Sequence, residues 1–207
     1  MKRQTVFTSC AVVLLTLGVW QIGAGSWIHA KAALAQGLLT TAWIRIQQGA
    51  DSARPWPWAD TWPVARLQVP RVEADMLVLA GGSGRTLAFG PGHIDGSAMP
   101  GGEGMSVVIG HRDTHFRFLR DLLPGDQIRM TDHASNIHEF IVRERHIVHM
   151  SDNRLAMDVP GLALVTCYPF DAVDTGGPLR YVVLAEPVSD DPPLNTIPVI
   201  TAAAPAK

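Results

Sequence analysis

Apolar and polar positions along this chain alternate with two different rhythms, and the change falls near residue 64. Between residues 4 and 28 there is no formal charge, and the apolar centre runs from residue 10 to residue 20. Roughly 25 helical residues reach about 37 Å, enough for a hydrocarbon core of about 30 Å, so the pattern predicts a transmembrane helix over residues 1–29. Residues 30–48 continue as an amphipathic helix, with Leu34, Leu38, Leu39, Ala42, Trp43 and Ile46 on one face. Residues 49–63, GADSARPWPWADTWP, interleave Pro55, Pro57 and Pro63 with Trp56, Trp58 and Trp62. That composition resists regular structure and predicts a stiff spacer, with the tryptophans at a membrane interface or against the outside of the following domain. From residue 64 the period becomes two. Ala65, Leu67 and Val69 alternate as in a half-buried strand, and residues 76–80 form a second apolar run closed by Gly81-Gly82. Residues 106–109, 119–123 (before the turn Pro124-Gly125-Asp126), Ile128, 137–148, 162–165 and 181–184 read as further strands, and residues 85–89 as one helical turn. Many short strands with glycine turns predict an all-β barrel or sandwich over residues 64–187 with short helices, followed by a flexible tail over 188–207.

Composition adds a compartment. The 207 residues suffice for one domain and an appendage, and 47% hydrophobic against 17% charged residues is more apolar than a typical soluble chain. Lys2 and Arg3 precede the uncharged run, so the positive-inside rule puts the amino terminus in the cytoplasm and everything after residue 30 on the outer side. A cleavable signal peptide is the rival, with Ala30-Lys31-Ala32 as a small-x-small site; the length of the run and the helix continuing beyond it favour a retained anchor. A net charge of −2 gives no reason to expect nucleic acid as a partner. There are two cysteines, and Cys10 lies in the span, so the outer domain carries Cys167 unpaired. A lone thiol in an oxidising compartment is a liability, which favours one kept for its reactivity.

The chemistry-bearing residues stand where strands end. In LALVTCYPF, residues 162–170, an apolar strand stops at Tyr168-Pro169, so Cys167 emerges into a loop; a buried structural cysteine is the other reading. Residues 106–109 likewise run into GHRDTHF, with His111 just past the strand. A thiol needs a base to become the nucleophile, and an imidazole takes that proton and returns it near neutral pH. The chain has eight histidines, so residue type alone does not single out His111. His111 and His115, with His133, His138, His146 and His149 after them, raise a metal site. Their spacing suits a helix rather than a loop, and no HExxH or CxxC accompanies it, so no metal is expected. Gly81-Gly82-Ser83-Gly84 lacks the Gly-Lys-Ser/Thr ending of a phosphate loop, and there is no G-x-S-x-G. Arg180 opens the last strand. A hairpin between the Cys167 and Arg180 strands brings guanidinium and thiol to one edge, where the cation can hold a carbonyl oxygen that becomes negative during acyl transfer; an ordinary surface arginine is the alternative.

With GHRDTHF supplying His111, ALVTC supplying Cys167 and PLRYVV supplying Arg180, in that order behind an apolar anchor, residues 64–187 resemble a sortase, a membrane-anchored cysteine transpeptidase. The run LAFGPGHIDGSAMPGGEGMSVVIGH is similar too. Ala163 replaces the first threonine of TLxTC, and Met105 stands where asparagine is frequent. A papain-like protease places cysteine before histidine. The resemblance implies a closed sortase-type β-barrel of about eight strands behind an N-terminal transmembrane helix, without a cofactor. It implies cleavage of an LPXTG-like C-terminal sorting signal on an exported protein, a thioacyl intermediate on Cys167, and transfer to an amine acceptor of the cell envelope. His111 is then the general acid and base, and Arg180 holds the peptide and the oxyanion. Residues 150–161 form a peptide-binding wall, with Met150, Leu155, Ala163, Thr166 and Tyr168 contacting substrate and backbone near Thr166 adding a donor. The features are most similar to the proteobacterial sortases (class GN, the marine proteobacterial kind), single-pass in the inner membrane bilayer with the catalytic domain periplasmic. A thiol hydrolase without transfer and a catalytically silent membrane scaffold are the readings from other classes.

Overall fold

The computed structural model describes residues 2–50, 53–152, 156–172 and 176–188. They divide into a unit Met1–Leu38 and a unit Leu39–Lys207. The first is the beginning of helix α1 (Lys2–Gln47), whose Ala11–Gln47 portion is long and apolar enough to cross a membrane, with a mean hydropathy of 1.6 over its most apolar 18-residue window. Leu14, Leu15, Val19 and Ile22 are exposed along it. A membrane anchor and a signal sequence share this character. Within the second unit α1 ends at Gln47 and the turn that follows holds Gly49, whose φ of 100° lets the chain reverse; the Gly49 N–H donates to Ile46 O and the Ala50 N–H to Arg45 O, covering carbonyls of the last turn.

Eight strands close a barrel: β1 (Pro63–Val69), β2 (Ala74–Ala80), β3 (Gly92–His93), β4 (Met105–Ile109), β5 (Gln127–Thr131), β6 (Ile137–His149), β7 (Gly161–Tyr168) and β8 (Leu179–Pro187), in the order β1-β2-β3-β4-β7-β8-β6-β5. β2/β3 and β4/β7 are the parallel pairs, and β5 pairs with β1 to close the ring. The period-two pattern sorts side chains to two faces. Leu162 and Leu164 of β7 join Phe116, Phe140, Val108 and Val183 in the interior, while Ala163 and Val165 join Met105, Val107, Val182 and Leu184 in a second cluster on the outer face. Burying one such aliphatic or aromatic side chain contributes about 1.5–3 kcal/mol, so both faces of β4, β7 and β8 are held in place.

Two details differ from the strand pattern read above. Residues 119–123 are not a strand; Arg117–Asp121 is a 3-10 helix. Phe116, Leu119 and Leu122 are all 0% exposed, a spacing of three that one face of such a helix presents to the core and that alternation cannot. The two-residue β3 is too short to leave a periodic trace. A short helix α2 (Gly84–Leu87) does form, its Ser83 Oγ accepting from the Thr86 N–H. Residues 53–62 are irregular, yet pinned to the barrel. Thr61 Oγ donates to Ala80 O, the Ala80 N–H donates to Trp62 O, and Trp56 meets Phe89 edge-on at 5.1 Å. Ala42, Trp43 and Ile46 of α1 bury with Ala53 against Trp62 and Leu77, and Trp58 stays 82% exposed.

Candidate active site

β7 lies between β4 and β8, and its register places the chemistry. Ile109 of β4 sits beside Val165, and Cys167 is directly opposite Arg180 of β8. The parallel alignment continues past the end of β4: the Gly110 N–H donates to Val165 O at 3.1 Å, and Thr166 Oγ donates to Gly110 O at 2.7 Å. His111 therefore leaves β4 alongside the end of β7 that carries Cys167. Directly opposed residues share a face of the sheet, so Cys167 and Arg180 stand together on the outer face, at one edge of three adjacent strands.

The local supports are specific. The Phe116 N–H donates to His111 O at 2.9 Å, and the Phe116 ring is buried in the interior beneath. A Cβ on Gly110 would come within 2.8 Å of that ring, so only glycine fits there. Cys167 is a half-buried free thiol, His111 is exposed, and Arg180 is half-buried. Arg180 Nη1 donates to Gly177 O at 2.6 Å and Leu179 O at 2.8 Å, which orders the base of its own loop and holds the guanidinium at the edge. Burial, and then the neighbouring positive charge of His111, push the His115 imidazole below its ordinary value of 6.5. A thiol on a strand flanked by the strands that bear an imidazole and a guanidinium brings together the groups that attack on a carbonyl, proton return to a leaving group and oxyanion stabilisation require.

Three other histidines of the metal reading have separate partners: His138 Nε2 with Asp132 at 2.9 Å, His146 Nε2 with Glu144 at 2.7 Å, and His149 Nδ1 with Ser151 at 2.7 Å. Among the described residues no three His, Cys, Asp or Glu side chains gather as a metal would require.

The expected peptide-contacting residues separate. Met150 is 55% exposed just beyond β6, its N–H donating to Pro178 O at 2.7 Å, two residues before Arg180. Leu155 lies outside the described residues, as do residues 189–207 of the expected tail. Ala163 shares the outer face with Cys167 but is 0% exposed beneath the second cluster, so it forms floor rather than a contact surface. Thr166 and Tyr168 fall on the opposite face, because the strand period is two. Thr166 is buried with its hydroxyl committed to Gly110 O, and Tyr168 stacks on Tyr181, with Phe170 edge-on, over the interior core.

One residue at the site went unread in the sequence. Arg112, immediately after His111, is 5% exposed and donates to Pro169 O and Ala172 O in the loop that follows Cys167. Its place in Gly-His-Arg-Asp was visible, but its partners lie 57 and 60 residues away.

Comparison with known proteins agrees with this geometry. The family model for the sortase domain matches residues 67–188. Sortase D of Bacillus subtilis is 33% identical over 126 residues, 59% of this chain, and the chain spans 63% of the length of that curated relative. Among solved structures, sortase A from Corynebacterium diphtheriae aligns with a TM-score of 0.57 and 30% identity over 65% of each chain. A Clostridium perfringens sortase D5 transpeptidase aligns at a TM-score of 0.55 over 62% of this chain and 80% of that one, with 24% identity, a likeness of fold. A barrel with this strand order, a family match over more than half of the residues, and histidine, cysteine and arginine at three neighbouring strand ends make this chain a member of the sortase family.

Proposed function

We propose that this protein is a membrane-anchored cysteine transpeptidase that cleaves an LPXTG-like sorting signal near the carboxyl terminus of an exported protein and joins the product to an amine. The observation that carries the reading is the register: Cys167 opposite Arg180, with β4 delivering His111 alongside. In the first half-reaction Cys167 Sγ, its proton passed to His111, attacks the scissile carbonyl, Arg180 stabilises the tetrahedral oxyanion, the C–N bond breaks, and His111 returns the proton to the departing amine. In the second, an acceptor amine attacks the thioester, His111 takes its proton, and the Cys167 thiolate leaves. Met150, just beyond β6 and bonded through its N–H to Pro178 O, contacts the peptide together with other residues of the 150–161 segment. The substrate, an envelope amine as acceptor, and kinship with the proteobacterial class GN sortases belong to the same reading. So do residues 1–29 as a retained inner-membrane anchor, 30–63 as a connecting segment and 64–187 as the periplasmic catalytic barrel.

A peptide carrying the sorting motif, incubated with the protein with and without an amine and followed by mass spectrometry, tests it. A ligated product and a transient mass on Cys167 are expected, both lost in Cys167→Ala and kept in Cys10→Ala. Cleavage without ligation at high amine concentration would reduce the activity to hydrolysis, and undiminished cleavage by Cys167→Ala would overturn the covalent mechanism.

A further inference from the structure

Hydrogen bonds between the histidine and cysteine segments reach as far as Gly110 and Thr166; beyond that point the histidine segment is a loop, while β7 runs on to Tyr168 before its exit loop begins. Among the described residues, the Arg112 side chain joins the histidine loop to the β7 exit loop. Arg112 Nη1 donates to Pro169 O at 2.6 Å and Nη2 to Ala172 O at 2.6 Å, while Nε reaches Asp113 Oδ1 at 3.2 Å. Its guanidinium is 5% exposed, whereas Asp113 is 61% exposed. A buried cation is costly to keep unless its hydrogen bonds are met, and two backbone carbonyls of the β7 exit loop are among the groups that meet them. Gly110 below is clamped by Thr166 and has no room for a Cβ against Phe116, so the backbone on one side of His111 is fixed by the ladder and on the other by Arg112.

We propose that Arg112 is a positioning residue that sets the separation of the His111 imidazole and the Cys167 sulfur, by fastening the segment that carries the base to the segment that leaves the nucleophile. The inference rests on the roles given above to His111 and Cys167. Proton transfer is sensitive to distance, and a displacement of about 1 Å costs on the order of 10²-fold in rate. The requirement is for arginine in particular. Two carbonyls approached by two nitrogens of one plane match its fork, and an ammonium donates from a single point. Asp113, solvated and bonded to Nε alone, orients the fork but does not reach the loop.

Steady-state transpeptidation by the full-length protein in detergent, with a sorting peptide and an amine, tests the assignment in Arg112→Lys and Arg112→Ala, each alone and combined with His111→Ala. Arg112→Lys is expected to lose about 10-fold or more in kcat with KM within about twofold, and its melting temperature should stay near that of the parent. Groups that act as a unit are non-additive, so Arg112→Ala should cost less than about twofold once His111 is already alanine. Added guanidinium should restore part of the turnover of Arg112→Ala, and methylammonium should not. Near-normal kcat in Arg112→Lys, losses that multiply with that of His111→Ala, or failure of both Arg112 variants to fold would overturn the proposal, the last by making Arg112 a staple of the fold. His111→Ala at parental turnover would be a different failure, removing the functional reading and this inference with it.

Discussion

At Arg180, charge and geometry can be separated. Nη1 is tied to Gly177 O and Leu179 O, and the residue stands directly across from Cys167. If a positive charge near the thiolate sufficed, lysine would replace it; a planar fork that holds a peptide carbonyl and a developing oxyanion together has no ammonium equivalent. Arg180→Lys is expected to lose about 10²-fold or more in turnover, the scale of one missing oxyanion donor. Thermal stability should hardly change, since the residue is half-buried at a strand edge and its carbonyl partners are within reach of water. Steady-state rates and melting curves on the lysine and alanine variants check both statements, and near-normal turnover would take Arg180 out of the catalytic set. His111, Cys167 and Arg180 were legible in the sequence because each follows or opens an apolar run, and strand ends are readable from alternation. Arg112 was not: an arginine beside a histidine looks like a solvated loop charge until the carbonyls of a distant loop are seen around it.

Among the elements, the turn before β5 carries a pH-sensitive contact. Asp126 is 8% exposed and accepts hydrogen bonds from Arg71 Nη2 and from the Leu123 N–H, both at 2.6 Å. The Arg71 guanidinium holds the Asp126 carboxyl below its ordinary value of 3.8, against an opposing push from burial. The folded form thus binds its proton less readily than the unfolded chain. The contact stabilises fully above 3.8 and is lost as pH falls through the lower, folded value. Melting temperature against pH should fall in acid for the parent and fall less steeply for Asp126→Asn, which should also melt a few degrees lower at neutral pH. An acid limb unchanged by Asp126→Asn would assign that sensitivity elsewhere. Helix α1 offers a second test. Trp43 and Ile46 bury against Trp62 and Leu77 within the second unit. A chain starting at Leu39 is therefore expected to exceed one starting at Ala50 by on the order of 3 kcal/mol in unfolding free energy, the scale of burying two large apolar side chains. Equal denaturation midpoints would show that this packing contributes nothing. The amphipathic face was visible in the sequence. The surface it meets, assembled from a proline-rich segment and β2, was not, because no periodicity relates residues 43 and 77.

For the whole molecule, the uncharged run behind Lys2 and Arg3 makes a topological statement that can be checked in cells. A reporter active only outside the cytoplasm is expected to work when fused after Lys207, with the protein staying in the membrane fraction. Activity of a reporter that works only in the cytoplasm would reverse the orientation, and release of the full domain into the soluble fraction would favour a cleaved signal sequence.

Local rules carried the reading a long way at this scale. Alternation and short apolar runs located β1, β2, β4, β5, β6, β7 and β8; a long uncharged run located the start of α1; proline and glycine located the breaks. Each depends on neighbours in the chain, so each is written in the order of residues. Closure of the barrel is of another kind. It needs β4 beside β7 and β8 between β7 and β6, pairings of strands far apart in sequence whose hydrogen bonds are between backbones and leave no mark on side-chain type. That arrangement decides that Cys167 faces Arg180, that Thr166 and Tyr168 turn inward, that residues 117–121 coil under the histidine loop, and that Arg112 is buried against the exit of β7. The sequence by itself determined which residues have the chemistry and at which strand ends they stand. Tertiary structure decided which of them meet, because register and face are set when a long-range pairing forms and buries one side of each strand.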